Sequence, residues 1–255
     1  MNPLRSVWMA LALWAATAGR CHAVEVIEAW SYYLAPPFRM AGAADAGLSH
    51  DLVAYLNRAL KDRYEVRLVH LPRSRLDMML ETEQRAIVMF APSVLYGTPR
   101  GDKYLWSQAL LKDSQELISR ADAPFQFENV PSLKSVRFAG LRGHLYPAIE
   151  RELAAARVDI QRYNTESSLF SMLQAGRVDV VTAANSTYRY LVSQQPELAS
   201  QLVLSRKNLG AFTRHLMFMR GMSKARDDFD AVIRRMPTDP EWIGILRQYD
   251  LEPAR

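Results

Sequence analysis

Residues 72–107 read PRSRLDMMLETEQRAIVMFAPSVLYGTPRGDKYLWS. The stretch divides into an arginine-led helix from Arg73 to Glu81, an uncharged buried strand from Ala86 to Ala91, a Pro92-Ser93 turn, and Arg100 shortly before Trp106-Ser107. A strand that runs out into a turn carrying polar and cationic groups is where open α/β sheets place ligand sites, because backbone groups at the strand's carboxyl end face a crevice. A solvated surface loop after a strand gives the same local pattern, so the neighbouring elements have to decide.

Upstream, Val24 to Ser31 reads as a strand that runs into Tyr32-Tyr33-Leu34-Ala35-Pro36-Pro37-Phe38, where two prolines exclude regular structure and present aromatic side chains from a stiff loop. Leu48, Leu52, Val53, Leu56 and Leu60 lie on one face of a helix, with Ser49 as its expected cap. Tyr64 to His70 alternates as a second strand. Strand, helix, strand, helix, strand with short connections means parallel pairing and right-handed crossovers, hence an α/β unit.

Downstream, Gln115 to Ser119 is a short strand, and Ala121 to Leu133, with two prolines and two phenylalanines, reads as a connection between lobes. A second α/β pattern follows: strand Ser135 to Gly140, helix Leu145 to Ala155, strand Val158 to Tyr163, helix Glu166 to Ala175, strand Val178 to Ala184 and helix Ser186 to Ser193. Leu202 to Ser205 and Ala211 to Arg220 are further strands, and two helices, Lys224 to Met236 and Pro240 to Tyr249, finish the chain. Asp239 is the expected cap of the last helix, with Pro240 in its first turn and Thr238 and Glu241 at capping-box spacing.

The chain of 255 residues is 49% hydrophobic and 23% charged, ordinary values for a folded domain or two. Met1 to Arg5 is basic, Val7 to Ala18 apolar, and small residues follow, the layout of a secretory signal peptide, with cleavage expected after Ala23. That places the mature protein in the periplasm. Arg20 beside Cys21 has the wrong size and charge for lipoprotein processing at that cysteine. Cys21 is the only cysteine, so its removal excludes disulfides, thiol catalysis and cysteine metal sites. The formal charge falls from +5 to +3 as Arg5 and Arg20 leave, too mild for a nucleic-acid partner.

The order of elements resembles the family 3 extracellular solute-binding proteins, periplasmic receptors of polar amino-acid ABC transporters. The resemblance is carried by Pro37-Phe38 after the first strand, Gly47 with Asp51-Leu52, Arg100 seven residues before Ser107, Leu133-Lys134, Gly140 to Gly143, LQAGRVD at 173–179 and EWIGILRQYDL at 241–251. It implies a two-lobed, type II-like α/β binding protein whose lobes close on a ligand about two hinge strands. Lobe one would take 24–111 and 212–255, lobe two 121–208, with hinge segments near 112–120 and 209–211. The expected partners are a small carboxylate-bearing ligand and an ABC permease or membrane sensor; no cofactor or metal is expected, and the receptor would be a monomer.

The resemblance places Arg100 where relatives grip a carboxylate, a task suited to the planar guanidinium. Gly143 and His144 precede a helix whose free N–H groups could hold an anion. Tyr33, Phe38 and Trp106 are candidate stacking walls. Arg75, rather than Arg73, is expected to face the cleft, where positive charge opposes the helix dipole. Ser93 of the Pro-Ser turn and Asn185 complete the ligand-binding set. Relatives hold the ligand's ammonium with an acid about five residues past the aspartate of the GRVD motif; Ala184 or Asn185 stands there, and Arg85 stands where an aspartate is common, so ordinary amino acids are expected to bind weakly. No catalytic motif is present and the histidines have no ligand spacing. Two alternatives stay open: a sensor module with a degraded cleft, and a dehydratase-like enzyme on this fold.

Overall fold

The computed structural model describes residues 23–40, 42, 46–82, 84–96, 103–146 and 149–254. The expected signal segment up to residue 22 and the candidate Arg100 lie outside the described residues.

In chain order the first elements are β1 (Glu25–Ser31), α1 (Leu48–Leu60), β2 (Tyr64–His70), α2 (Arg73–Met79), β3 (Ala86–Pro92), α3 (Ser93–Tyr96), β4 (Tyr104–Trp106) and β5 (Leu111–Arg120). The second series is β6 (Phe138–Leu141), α4 (Glu150–Ala156), β7 (Ile160–Tyr163), α5 (Glu166–Gln174), β8 (Val180–Ala184), α6 (Asn185–Gln194), α7 (Leu198–Gln201) and β9 (Leu202–Leu204). The chain returns through β10 (Ala211–Met219), α8 (Ser223–Ile233) and α9 (Pro240–Gln248).

The strands connect in the order β2-β1-β3-β10-β5-β8-β6-β7, with β4 on β10 and β9 on β5. β1 is parallel to β2 and β3, and β6 to β7 and β8. These are the two expected α/β units. What joins them is antiparallel: Leu111 to Ser114 of β5 pair with β10, and Gln115 to Ser119 pair with β8. One strand thus changes partner half-way along its length.

Burial follows the sequence periodicity. Leu48, Leu52, Leu56 and Leu60 on α1 are at most 1% exposed, each burial contributing roughly 1.5–3 kcal/mol. They pack with Ile27 and Trp30 of β1, Val88 of β3, Phe229 of α8 and Trp242 of α9 in one cluster. The second unit has a cluster on each face of its strands, because neighbouring strand residues point to opposite sides. Phe138 and Val180 join Leu133 and Leu153, while Ala139 and Val181 join Leu169 and Leu173.

Four local expectations need correction. Gly47 at φ +120°, not Ser49, occupies the position before α1, and Ser49 is buried with its hydroxyl 3.2 Å from that of Ser31. Asp239 does cap α9, accepting from the Glu241 N–H at 2.8 Å, but the Thr238 hydroxyl turns back to the Arg235 carbonyl and makes no capping box. β6 starts at Phe138, since Asn129 accepts from the Ser132 N–H and Pro131 opens a 3-10 turn over Val130–Ser135. α4 starts only at Glu150.

Candidate functional site

β1 and β3 run parallel and end on the same side, so the loop after β1, the start of α2 and α3 gather there. The loop after β6 and the first turn of α5 face them across a cavity of about 500 Å³, floored by β5, β10 and the Leu209–Phe212 segment. Ligand sites at the carboxyl ends of strands are the rule in such sheets.

The floor is organised by Arg214 of β10, only 1% exposed. Its Nε donates to Asp113 Oδ2 at 2.7 Å, and Asp113 also accepts from the Ser186 backbone N–H at 3.1 Å, the Ser186 hydroxyl at 2.7 Å and its neighbour's N–H at 2.9 Å. The guanidinium carbon lies 4.5 Å from the Tyr33 ring centre, 4.7 Å from Phe38 and 5.0 Å from Phe212, cation–π contacts that gain strength when desolvated. Burial alone would lower the Arg214 pKa; Tyr33 and Asp113 outweigh it and the net direction is up. Among the described residues the only other acceptor for Arg214 is the Phe90 carbonyl at 3.4 Å, so further N–H groups at the cavity floor are left to meet a ligand. Phe90 itself has φ +53° inside β3, next to the register shift between β3 and β10. A left-handed non-glycine residue in a strand stores about 1–2 kcal/mol, strain that aims its carbonyl at Arg214.

The facing wall carries His144 and Tyr146, ring centres 5.1 Å apart. Gly140 makes room for Tyr146: a Cβ there would lie 2.3 Å from the Tyr146 hydroxyl. Arg162 lies 5.5 Å from the Tyr146 ring and donates to the carbonyls of Leu141 and His144 at 3.1 Å, tying the loop down. Burial first, then the cations Arg214, Arg73 and Arg162, push the His144 pKa down to about 4, so the ring is neutral at pH 7. Glu166, at the start of α5, has its pKa raised by burial, and no other side chain pairs with its carboxylate among the described residues. Arg142 is held by Asn164 at 3.0 Å.

Of the residues singled out from sequence, Tyr33, Phe38, Gly143 and His144 line the cavity together. Arg73 lines it and Arg75 does not: Arg73 sits 5.4 and 5.1 Å from the Tyr32 and Tyr96 rings and pairs with Asp77, while Arg75 points to solvent. Trp106 packs edge-on to His215 at the margin of the first cluster, outside the lining. Ser93 opens α3 between lining residues Pro92 and Val94 without joining them, and Asn185 turns to Glu116 at 3.4 Å. Gly143 and His144 are not a helix start, since α4 begins six residues later and Glu150 already accepts the Tyr146 N–H at 2.9 Å. Arg85 pairs with Glu25 at 2.7 Å, at the far end of β3 from the cavity. Arg214, Glu166, Arg142 and Phe212 are lining residues that sequence reasoning missed.

No protein-family model matches the chain, and no curated protein sequence matches it. Solved structures do resemble it. An ancestral arginine-binding protein bound to glutamine superposes with a TM-score of 0.68 at 16% identity, over 89% of this chain and 99% of that one. The arginine-, lysine-, histidine-binding protein ArtJ from Geobacillus stearothermophilus gives 0.67 at 17% over 90% and 97%. The GluR0 ligand-binding core in complex with L-glutamate gives 0.66 at 15% over 89% and 98%. At these identities the likeness speaks for architecture alone: the chain has the two-lobed α/β fold of the periplasmic binding proteins.

Proposed function

We propose that this protein is a periplasmic receptor that captures a small, anion-bearing solute between two closing lobes. In this reading 24–111 with 212–255 form one lobe and 121–208 the other, and β5 and the segment entering β10 act as the hinge. The observation that supports it most is Arg214, a guanidinium fixed on three sides by Asp113 and aromatic rings at the floor of a cavity walled from both sides of that hinge. A donor array locked before the ligand arrives loses little freedom on binding. Arg100 is proposed as a second hold on the carboxylate, and the solute would pass to an ABC-type permease or a membrane sensor. Calorimetry over carboxylates, amines and sugars tests the reading, with Arg214→Lys and Arg100→Ala beside the parent. Binding of an anion weakened in those variants is expected. No anion bound, or binding indifferent to both arginines, would overturn it.

The neighbours named above are amino-acid-binding proteins, and Glu166 favours a second reading in which the solute also carries an amine. The acid missing near residue 184 would then be replaced by a carboxylate from the start of α5. An amine-bearing ligand that binds the parent better than Glu166→Gln would support it; equal binding would exclude it.

A further inference from the structure

We propose that the solute's body is apolar and ring-bearing, so that the cleft selects aryl carboxylates over compact hydrophilic ones; this rests on the receptor reading above. Six large hydrophobic side chains are strongly exposed among the described residues, and three of them, Leu34 at 48%, Val94 at 53% and Leu145 at 49%, border this one cavity. They come from the loop after β1, from α3 and from the loop after β6, so both sides of the cleft contribute. Clustered apolar exposure on a folded protein marks a contact surface, whereas scattered exposure does not. Within the mouth, Tyr32 and Tyr33 lie with ring centres 4.2 Å apart and hydroxyls 2.6 Å apart, each occupying the other's polar end. Their ring faces are already taken, Tyr33 by Arg214 and Phe38, and Tyr32 by Arg73. The apolar surface open at the mouth is therefore that of Leu34, Val94 and Leu145, with the neutral ring of His144 across the cavity from the tyrosines.

A compact hydroxy acid would satisfy the arginine but leave these three aliphatic side chains wet or in contact with polar groups when the lobes close. A flat ring attached to a carboxylate places the charge at the floor and the apolar part at the mouth, and a cavity of about 500 Å³ holds such a molecule with room for the charged group's waters. Closure would bring Leu34 and Val94 toward Leu145 over the ring. That assignment differs from a polar amino-acid site in where the apolar surface sits.

The test compares benzoate and 3-phenylpropionate with lactate and succinate by calorimetry, on the parent chain and on a Leu34→Ser, Val94→Ser, Leu145→Ser triple variant. All three positions are exposed, so the variant keeps its core, and its unfolding midpoint checks this. The aryl acids are expected to bind at least tenfold tighter than the compact acids, and that ratio is expected to fall toward one in the triple variant. Compact acids binding as tightly as aryl acids to the parent would overturn the inference and leave the receptor reading standing. An aryl preference undiminished in the triple variant would overturn the role of the mouth. Failure of all four acids to bind would overturn this inference, while the receptor reading stands or falls on the wider series of carboxylates, amines and sugars.

Discussion

Replacing Arg214 by methionine keeps an unbranched, flexible side chain but shortens it and removes its charge, leaving Asp113 with its Ser186 and Ser114 donors but without its cation. Both side chains are 1% exposed, so solvent cannot take over the lost partner. Breaking a buried pair from one side costs about 3–5 kcal/mol, mostly the uncompensated charge. The cation–π contacts to Tyr33, Phe38 and Phe212 disappear as well, but the methionine thioether regains part of that through sulfur–aromatic contact. For a chain of this size each kcal/mol moves the melting temperature by about 2–4 °C, so a fall of roughly 6–20 °C is expected. Asp113→Asn should also destabilise, and a double-mutant cycle in urea should give a coupling of about 2 kcal/mol or more, as groups in direct contact do. The double variant should not recover the parent's stability fully, because the Ser186 N–H and hydroxyl lose their carboxylate acceptor. A loss under about 1 kcal/mol for Arg214→Met, or effects additive within about 0.5 kcal/mol, would refute the view that this pair is dry and mutually dependent.

Gly47→Ala should cost at least about 2 kcal/mol, since φ is +120° and the new Cβ would lie 2.7 Å from the Phe38 carbonyl oxygen. Because Phe38 is a cleft wall, ligand affinity should fall alongside the urea midpoint; an unchanged midpoint would sink the argument. His144 has a folded pKa of about 4 against 6.5 when unfolded, so the unfolded chain takes up the proton first as pH drops. Its contribution is complete above pH 6.5 and is lost toward pH 4, where about 2–3 kcal/mol should be gone; His144→Gln should flatten that slope, and a slope unchanged in the variant would count against it. Glu166 runs the other way: burial raises its carboxyl pKa, so stability declines as pH rises past the unfolded value, and Glu166→Gln should raise the unfolding midpoint at pH 7.5 even though an acid in the first helical turn is favourable to the dipole. A lowered midpoint would show that something holds this carboxylate charged.

The fold was legible where periodicity and chain punctuation agree. Leu48 to Leu60 spaces its leucines by four, and Tyr64 to His70 alternates, and both elements have the predicted bounds. The start of β6 was not legible, because the Pro131 turn that displaces it depends on a side-chain cap from Asn129. Part of the cleft's aromatic wall could be named from the prolines that stiffen the loop holding Tyr33 and Phe38. Arg214 could not. An arginine in an alternating strand reads as a solvent-facing position, and only the antiparallel pairing of β10 with β5 puts it beside Asp113, 101 residues away in sequence. Glu166 reads as an ordinary first-turn acid, and only the cavity it lines together with the loop after β6 sets it apart. Charges that meet across non-local pairings leave no local pattern to find.

The first cluster cannot be completed from the amino-terminal part of the chain. Trp242 and Leu246 of α9 and Phe229 of α8, all at most 1% exposed, pack with Ile27 and Trp30, so the residues made first wait for those made last. Apart from Leu117, Ile118 and Leu209, the clusters of the second unit draw on residues 127–202, which leave the ribosome earlier. A chain that stops before α8 therefore holds the residues of the second unit's clusters but an unfinished beginning, with the seven buried positions of β3 still lacking part of their cover. Such a polypeptide stays unfinished at its front end until synthesis is almost over, which leaves truncated products exposed to proteases and holdase chaperones.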